Sequence, residues 1–121
     1  MTNKQLIQTG LDFTRFLTGH HNIEEQYLFP QLAAKMPEFK SDSGKMCKDH
    51  KVIHAGLEDL GGYLRGLKSD QFEPDGLKSH MESWGSTLWR HLDEEVDTLK
   101  AENMQKYWSK EEMQEIVKRW T

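Results

Sequence analysis

The sequence predicts an all-α protein: an up-down helical bundle of three long helices and a short C-terminal one, arranged as a four-helix bundle. Three observations carry this prediction. Apolar residues recur at alternating steps of three and four through three long stretches, the period of a helix face. Short segments rich in Pro, Ser, Asp and Gly separate the stretches, so neighbouring helices run antiparallel. No run alternates apolar and polar residues as a half-buried strand does.

The first helix is expected to start at Thr2, because Thr2-Asn3-Lys4-Gln5 has the form of a capping box. Its partner-facing stripe reads Leu6, Gly10, Phe13, Leu17, His20, Glu24, Tyr27 and Gln31. Pro30 lacks a backbone donor and is expected to kink or end the helix. Residues 35–43 read as a loop. The second long helix runs from about Gly44 to Lys68. Its face is Met46 or Cys47, His50, His54, Leu57, Gly61, Leu64 and Lys68, widened by Ile53 and Leu60. Gly56, Gly61, Gly62 and Gly66 each lower its propensity by up to ~1 kcal/mol, or else allow a close helix approach; the sequence leaves both open.

Residues 69–73 read as a second loop, and Pro74 suits the first turn of the third helix. That helix carries Leu77, Met81, Trp84, Leu88, His91, Glu95 and Thr98 or Leu99 on one face. Ser109-Lys110-Glu111-Glu112 forms another capping box. It opens a short last helix with Met113, Ile116, Val117 and Trp120 on its apolar side.

A length of 121 residues suits one domain, residues 1–121. The net charge of -4 offers no basic field for nucleic acid. No apolar run reaches the ~20 residues a membrane span needs. Met1 to Gln5 lacks the apolar core of a signal peptide, and Cys47 as the sole cysteine excludes an intrachain disulfide, so a cytoplasmic location is expected.

Chemistry concentrates in three pairs at helical i, i+4 spacing: His20 with Glu24, His50 with His54, and His91 with Glu95. Such a pair aims two donors at one point from one helix face. With the helices running up, down and up, all three pairs lie roughly 12 Å from the same end of the bundle. Carboxylates in a core stripe are costly unless paired or bound to metal. Four histidines and two carboxylates suit Fe, Mn or Zn rather than Mg or Ca. His21 points ~100° away from His20 and is expected to be exposed or behind the ligands. His80 stands ~16 Å along the helix from His91, too far to share its cluster. Cys47 reads as an inert buried thiol, and Tyr27 and Trp84 as packing. No Gly-rich phosphate loop and no nucleophile elbow is present, and a Cys47/His50 couple has no orienting partner.

At these residues the chain resembles the hemerythrin family, in its HHE cation-binding branch. His20-His21-Asn22-Ile23-Glu24-Glu25-Gln26-Tyr27-Leu28-Phe29-Pro30 resembles that family's second-helix motif. Lys48-Asp49-His50-Lys51-Val52-Ile53-His54 resembles the third-helix motif and Arg90-His91-Leu92-Asp93-Glu94-Glu95 the fourth. Tyr107-Trp108-Ser109-Lys110-Glu111-Glu112 is similar to the tail of some members. The resemblance implies a non-haem di-iron centre that binds or reacts with O2 or a related small oxidant, with Mn or Zn as alternative metals. By its pattern His50, His54 and His91 hold one iron, His20 holds the other, and Glu24 and Glu95 bridge. Members include carriers, sensors and oxidative enzymes. The family also has an earlier helix that supplies a further His. Without it one metal is under-ligated and one bundle side is open, and the C-terminal helix, a second copy of the chain or loss of the second metal are the alternatives that answer this. Ile7, Leu11 and Phe16 would then form an apolar patch that a homodimer covers. The alternative reading is a metal-stabilised structural or interaction module, prompted by a surface rich in Trp89, Trp108 and Trp120.

Overall fold

Helix α1 (Asn3–Ile23) begins where the capping box places it. The computed structural model describes residues 2–120, Trp120 by its backbone alone. Gln5 donates its N–H to Thr2 Oγ1 at 3.1 Å, and Thr2 donates its N–H to Gln5 Oε1 at 2.8 Å.

The helical run does not end at Pro30. It widens into a π turn over Glu24–Leu28 and resumes as α2 (Phe29–Leu32). An unbroken α ladder would leave the Gln26 carbonyl facing a proline with no N–H. The π turn takes up one extra residue upstream, with the Phe29 N–H donating to the Glu24 carbonyl. Pro30 then falls in the first turn of α2, where a missing donor costs little. The widening sends Phe29 inward and leaves Tyr27 exposed.

The inward face of α1 also differs from the expected stripe. Thr14, Leu17, His21 and Glu24 are buried, while Phe13, His20 and Tyr27 are not. Two stripes share Gly10, Leu17 and Glu24 and differ by a turn of about 50°. The position of α3 selects between them. A Cβ on Gly10 would come within 2.6 Å of Leu64, so α3 closes in on that flank.

Helix α3 (Lys45–Arg65) is the central element, with α1 on one flank and α4 (Pro74–Leu99) on the other. Its buried side includes Asp49, His50, Ile53, Leu57, Leu60 and Leu64, so Ile53 and Leu60 belong to the middle of the face rather than its edge. Pro74 occupies the first turn of α4, whose buried residues Trp84, Leu88 and His91 follow the expected stripe. The glycine question resolves position by position. A Cβ on Gly56 would lie 2.2 Å from the Trp84 ring, whereas one on Gly62 would meet nothing within 4 Å.

The segment 35–43 does more than connect. A 3-10 turn at Pro37–Phe39 plugs the bundle end with Met36 and Phe39, both fully buried. Helix α5 (Ala101–Met104) adds Met104 to the same cluster. Helix α6 (Lys110–Trp120) opens on the expected Ser109/Glu112 capping box and contributes buried Ile116 and partly buried Met113, while Val117 is half exposed. The Trp120 side chain lies outside the described residues. Because α6 packs on the π turn, it caps the end of the bundle rather than lining its side. Trp108 belongs to this cap and not to an open surface: its Nε1–H donates to Met36 Sδ at 3.3 Å, and Lys35 Nζ sits 4.8 Å above its ring.

Two apolar cores result. One gathers Phe29, Leu32, Met36, Phe39, Met46, Cys47, Met104 and Ile116 at the capped end. The other gathers Leu17, Ile53, Leu57, Leu60, Leu64, Trp84 and Leu88 further along. A polar layer separates them. Ile7 and Leu11 pack on the second core instead of lying bare. Phe16 is 71% exposed, however, with Phe13, Ile23 and Tyr27 on the same side of α1 and Trp89, Leu92 and Val96 exposed on α4. No helix among the described residues is long and apolar enough to cross a membrane.

Candidate metal centre

The polar layer is built from α1, its π turn, α3 and α4. Two groups of donor atoms, each with all members within 4.8 Å of one another, share His50: His21, His50 and His91 form one, and Glu24, His50 and Glu95 the other. His50 Nε2 lies 3.1 Å from His91 Nε2 and 3.8 Å from Glu24 Oε1, and His91 Nε2 lies 3.0 Å from Glu95 Oε2. The Nδ1 atoms point outward to carboxylates. His91 Nδ1 is 3.3 Å from Asp49 Oδ2, which Arg90 in turn holds through Oδ1 at 3.0 Å. His50 Nδ1 is 3.2 Å from Glu25 Oε1. Carboxylates on the outer nitrogens fix the rings with Nε2 turned to a common point, the arrangement metal-bound histidines adopt.

Of the residues the sequence singled out, Glu24, His50, His91 and Glu95 converge here. His20 stands at the rim: its side chain is 50% exposed and its Nε2 is 3.2 Å from Glu24 Oε1. His54 is outside both donor groups, 53% exposed at the side chain and paired with Glu58 Oε1 at 3.1 Å. His21, expected to be exposed or behind the ligands, is instead 5% exposed and stacked on His50 with ring centroids 3.7 Å apart. The same turn of α1 that buries Thr14 brings His21 inward. Adjacent histidines guarantee that either stripe presents one imidazole, and that doublet was the available signal. Asp49 and Glu25 were missed as ring anchors; each adjoins a recognised donor in the sequence, at His50 and Glu24.

The electrostatics suit a cation. Burial, then the neighbouring His91, lowers the His21 pKa to about 4. Burial, His21 and His91 lower that of His50 to about 3, so both rings are neutral donors at pH 7. Burial also works against charge on His91, but its hydrogen bonds to Glu95 and Asp49 outweigh it and raise its pKa. Burial and the Glu95 carboxylate push Glu24 up to about 10. Burial opposes the charge on Glu95 as well, yet its bonds to His91 and Glu24 keep it ionised. The two carboxyls thus hold a proton where a cation would serve. Glu24 Oε1 is buried in this cluster without a well-aligned hydrogen bond, its neighbours being His20 Nε2 at 3.2 Å and His50 Nε2 at 3.8 Å. Mixed imidazole and carboxylate donors match Fe, Mn or Zn, so the residues present fit such an ion.

Histidines and carboxylates from separate helices, meeting between two apolar cores, make this a helical-bundle protein with a candidate cation site. The chain belongs to the hemerythrin family: the model of the hemerythrin HHE cation binding domain matches residues 2–102. It is similar to a dimeric xanthone biosynthesis cluster protein of Cryptosporiopsis sp. (strain 8999), with 30% identity over 102 residues, 79% of this chain. The chain spans 38% of that relative's length at the match. No solved structure matches the chain significantly.

Proposed function

We propose that this domain holds a pair of iron ions between α1, α3 and α4 and binds or reacts with O2 or a related small oxidant. The observation that carries the reading is the convergence of His21, His50, His91, Glu24 and Glu95 in two donor groups that share the buried His50. His20 at the rim and His54 one turn beyond His50 stand outside both donor groups, and a second ion would draw on them only after their side chains turn inward. Iron bound there supplies one-electron chemistry toward a small oxidant. The chain's own groups do the rest. Asp49 and Glu25 hold the rings of His91 and His50, Phe29 stacks on His50 with centroids 5.2 Å apart, and Leu17 and Leu88 restrict water from the other side. The relative's place in a xanthone biosynthesis cluster fits work beside small organic molecules.

Anaerobic Fe(II) loading followed by air tests this. A metal-dependent absorption band should appear on exposure to air. Reversal under vacuum marks an oxygen carrier, and irreversible oxidation or turnover marks an enzyme. A fold that loses stability with a chelator but shows no redox response would mark a structural module instead. Absence of any metal-dependent spectrum or stability change would refute all three.

The same reading places a second copy of the chain over the exposed stripe of Phe13, Phe16, Ile23 and Tyr27. Light scattering should give a dimer at micromolar concentration, and Phe16→Lys should release monomer. A wild-type monomer that binds two metals would remove the second copy from the account.

A further inference from the structure

We infer that the groove between α1 and α3 binds a small, elongated organic carboxylate, with its uncharged end at His54, the mouth of the inner part that leads to His21 and His50. This deepens the proposed function by naming a co-substrate class, and it rests on that reading only for the meaning of the inner end. The groove lies on the flank of α1 nearly opposite the exposed Phe16 stripe.

Its inner part, a cavity of about 190 Å³, is walled by His21, Glu25, His50 and Lys51. Through Thr18, Asn22, His54 and Leu57 it runs into an outer part of about 510 Å³ that ends at Arg15 and Arg65. A diatomic oxidant needs space comparable with one or two waters, ~30 Å³ each, so this groove is far larger than the oxidant requires. The outer part alone falls in the class of small-molecule sites, roughly 300–1,000 Å³.

Charge decides the kind of molecule. The protein as a whole carries -4. Two acidic groups line the groove, Glu58 at 3.1 Å from His54 and Glu25 at 3.2 Å from His50, against three cations, Arg15, Lys51 and Arg65. Lys51 and Arg65 have no ion-pair partner among the described residues, while Arg15 has a loose one in Asp12 at 3.6 Å. Arg65 also folds back along α3, its Nη1 3.0 Å from where a Cβ on Gly61 would stand. That puts a guanidinium one turn from Leu57 and two from His54, so the span from it to His54, at the mouth of the inner part, is about 10 Å. Leu57, 2% exposed, offers an apolar floor between the ends. Among the described residues the side chains of Thr18 and Asn22 make no hydrogen bond of their own and are available to a ligand. A fork of Arg nitrogens at one end, an apolar floor and free polar groups along the wall recognise a monocarboxylate about one aromatic acid in length.

Cinnamate, with cinnamamide as its uncharged isostere, probes this on the full chain by amide NMR, with and without Zn(II). Cinnamate should shift Thr18, Gly19, Asn22 and Leu57. Cinnamamide and the Arg65→Gln variant should each bind about tenfold more weakly. Gly19→Leu should abolish binding, since a Cβ there meets nothing within 4 Å and the side chain enters the groove without a clash. Circular dichroism checks that both variants fold. Equal affinity for the acid and the amide, undiminished binding to folded Gly19→Leu, shifts on another surface, or no shift at millimolar cinnamate each overturn the inference. The two readings fail separately: cinnamate shifts in a chain that takes up no metal leave the groove and sink the centre, and metal uptake without cinnamate shifts does the reverse.

Discussion

Iron(II), or zinc(II) as a redox-silent stand-in, is expected to raise the melting temperature by about 10–20 °C, and the gain should grow with pH. An ion at about 1,000 times its dissociation constant stabilises the native state by ~4 kcal/mol. Each kcal/mol moves the midpoint by roughly 3–5 °C in a domain of this size. The pH dependence follows from which groups hold protons in the metal-free fold. Glu24, raised to about 10, keeps its proton near neutrality, and His91, also raised, holds its proton more tightly than an ordinary imidazole, so an incoming cation competes with both. A raised folded-state pKa gives stability that is present below the unfolded value and is lost as pH rises through the folded one. The metal-free protein therefore weakens through these two groups above pH 6.5 for His91 and above 4.5 for Glu24.

The metal-bound form has already released both protons and does not weaken in this way. His21 and His50, lowered to about 4 and about 3, are neutral in both forms above pH 5 and do not affect the difference. Each displaced proton makes affinity rise by up to tenfold per pH unit, or ~1.4 kcal/mol. Calorimetric scans from pH 5.5 to 8 with and without metal check this, and a metal-induced shift independent of pH would contradict the proton assignment. His91→Ala should abolish the shift. Asp49→Asn keeps the shape of the anchor but weakens its hold on His91 Nδ1, and should lower metal affinity by about 10–100-fold.

Opposite signs are expected from the same substitution at two glycines six residues apart on α3. Gly62→Ala should stabilise by about 0.5–1 kcal/mol, because the position is exposed, helical and open around its Cβ. Gly56→Ala gains the same backbone term but drives a methyl to 2.2 Å from the Trp84 ring. That indole is 2% exposed, its Nε1–H is committed to the His80 carbonyl at 2.7 Å, and it cannot step aside without breaking the α3–α4 contact. The net cost should be about 2–3 kcal/mol, as overpacking in a tight core brings. Trp84→Ala, which empties the same contact, should cost about 3–5 kcal/mol. Urea titration of the four proteins measures all of this, and a stabilising Gly56→Ala would show that the helices part easily.

How legible the molecule is from its sequence differs element by element. Helix α4 reads correctly along its length because one apolar stripe dominates it, from Leu77 through Trp84 and Leu88 to His91. The capping residues Thr2 and Ser109 mark their helix starts because a cap is a local bond within four residues. Helix α1 misleads, because Phe13, His20 and Tyr27 make as good a stripe with Leu17 and Glu24 as Thr14, His21 and Leu28 do. The π turn is invisible in composition: Pro30 states that a bond must be lost but not where the helix absorbs it. Segment 35–43 looks like a loop, since its turn residues outnumber Met36 and Phe39, which nevertheless close one core.

The sequence by itself determined the helical class, the helix starts, and the fact that ionisable donors from three helices share one level, because these depend on local bonds and on spacing along a regular helix. Only the tertiary structure decided which imidazole of the His20-His21 doublet faces inward, that His54 pairs with Glu58, that Asp49 and Glu25 anchor the rings, and that Gly56 is a contact while Gly62 is not. Each of those is set by where a neighbouring helix sits. A turn of about 50° about a helix axis leaves every local interaction intact while exchanging one set of buried side chains for another, so nothing within the helix can fix it.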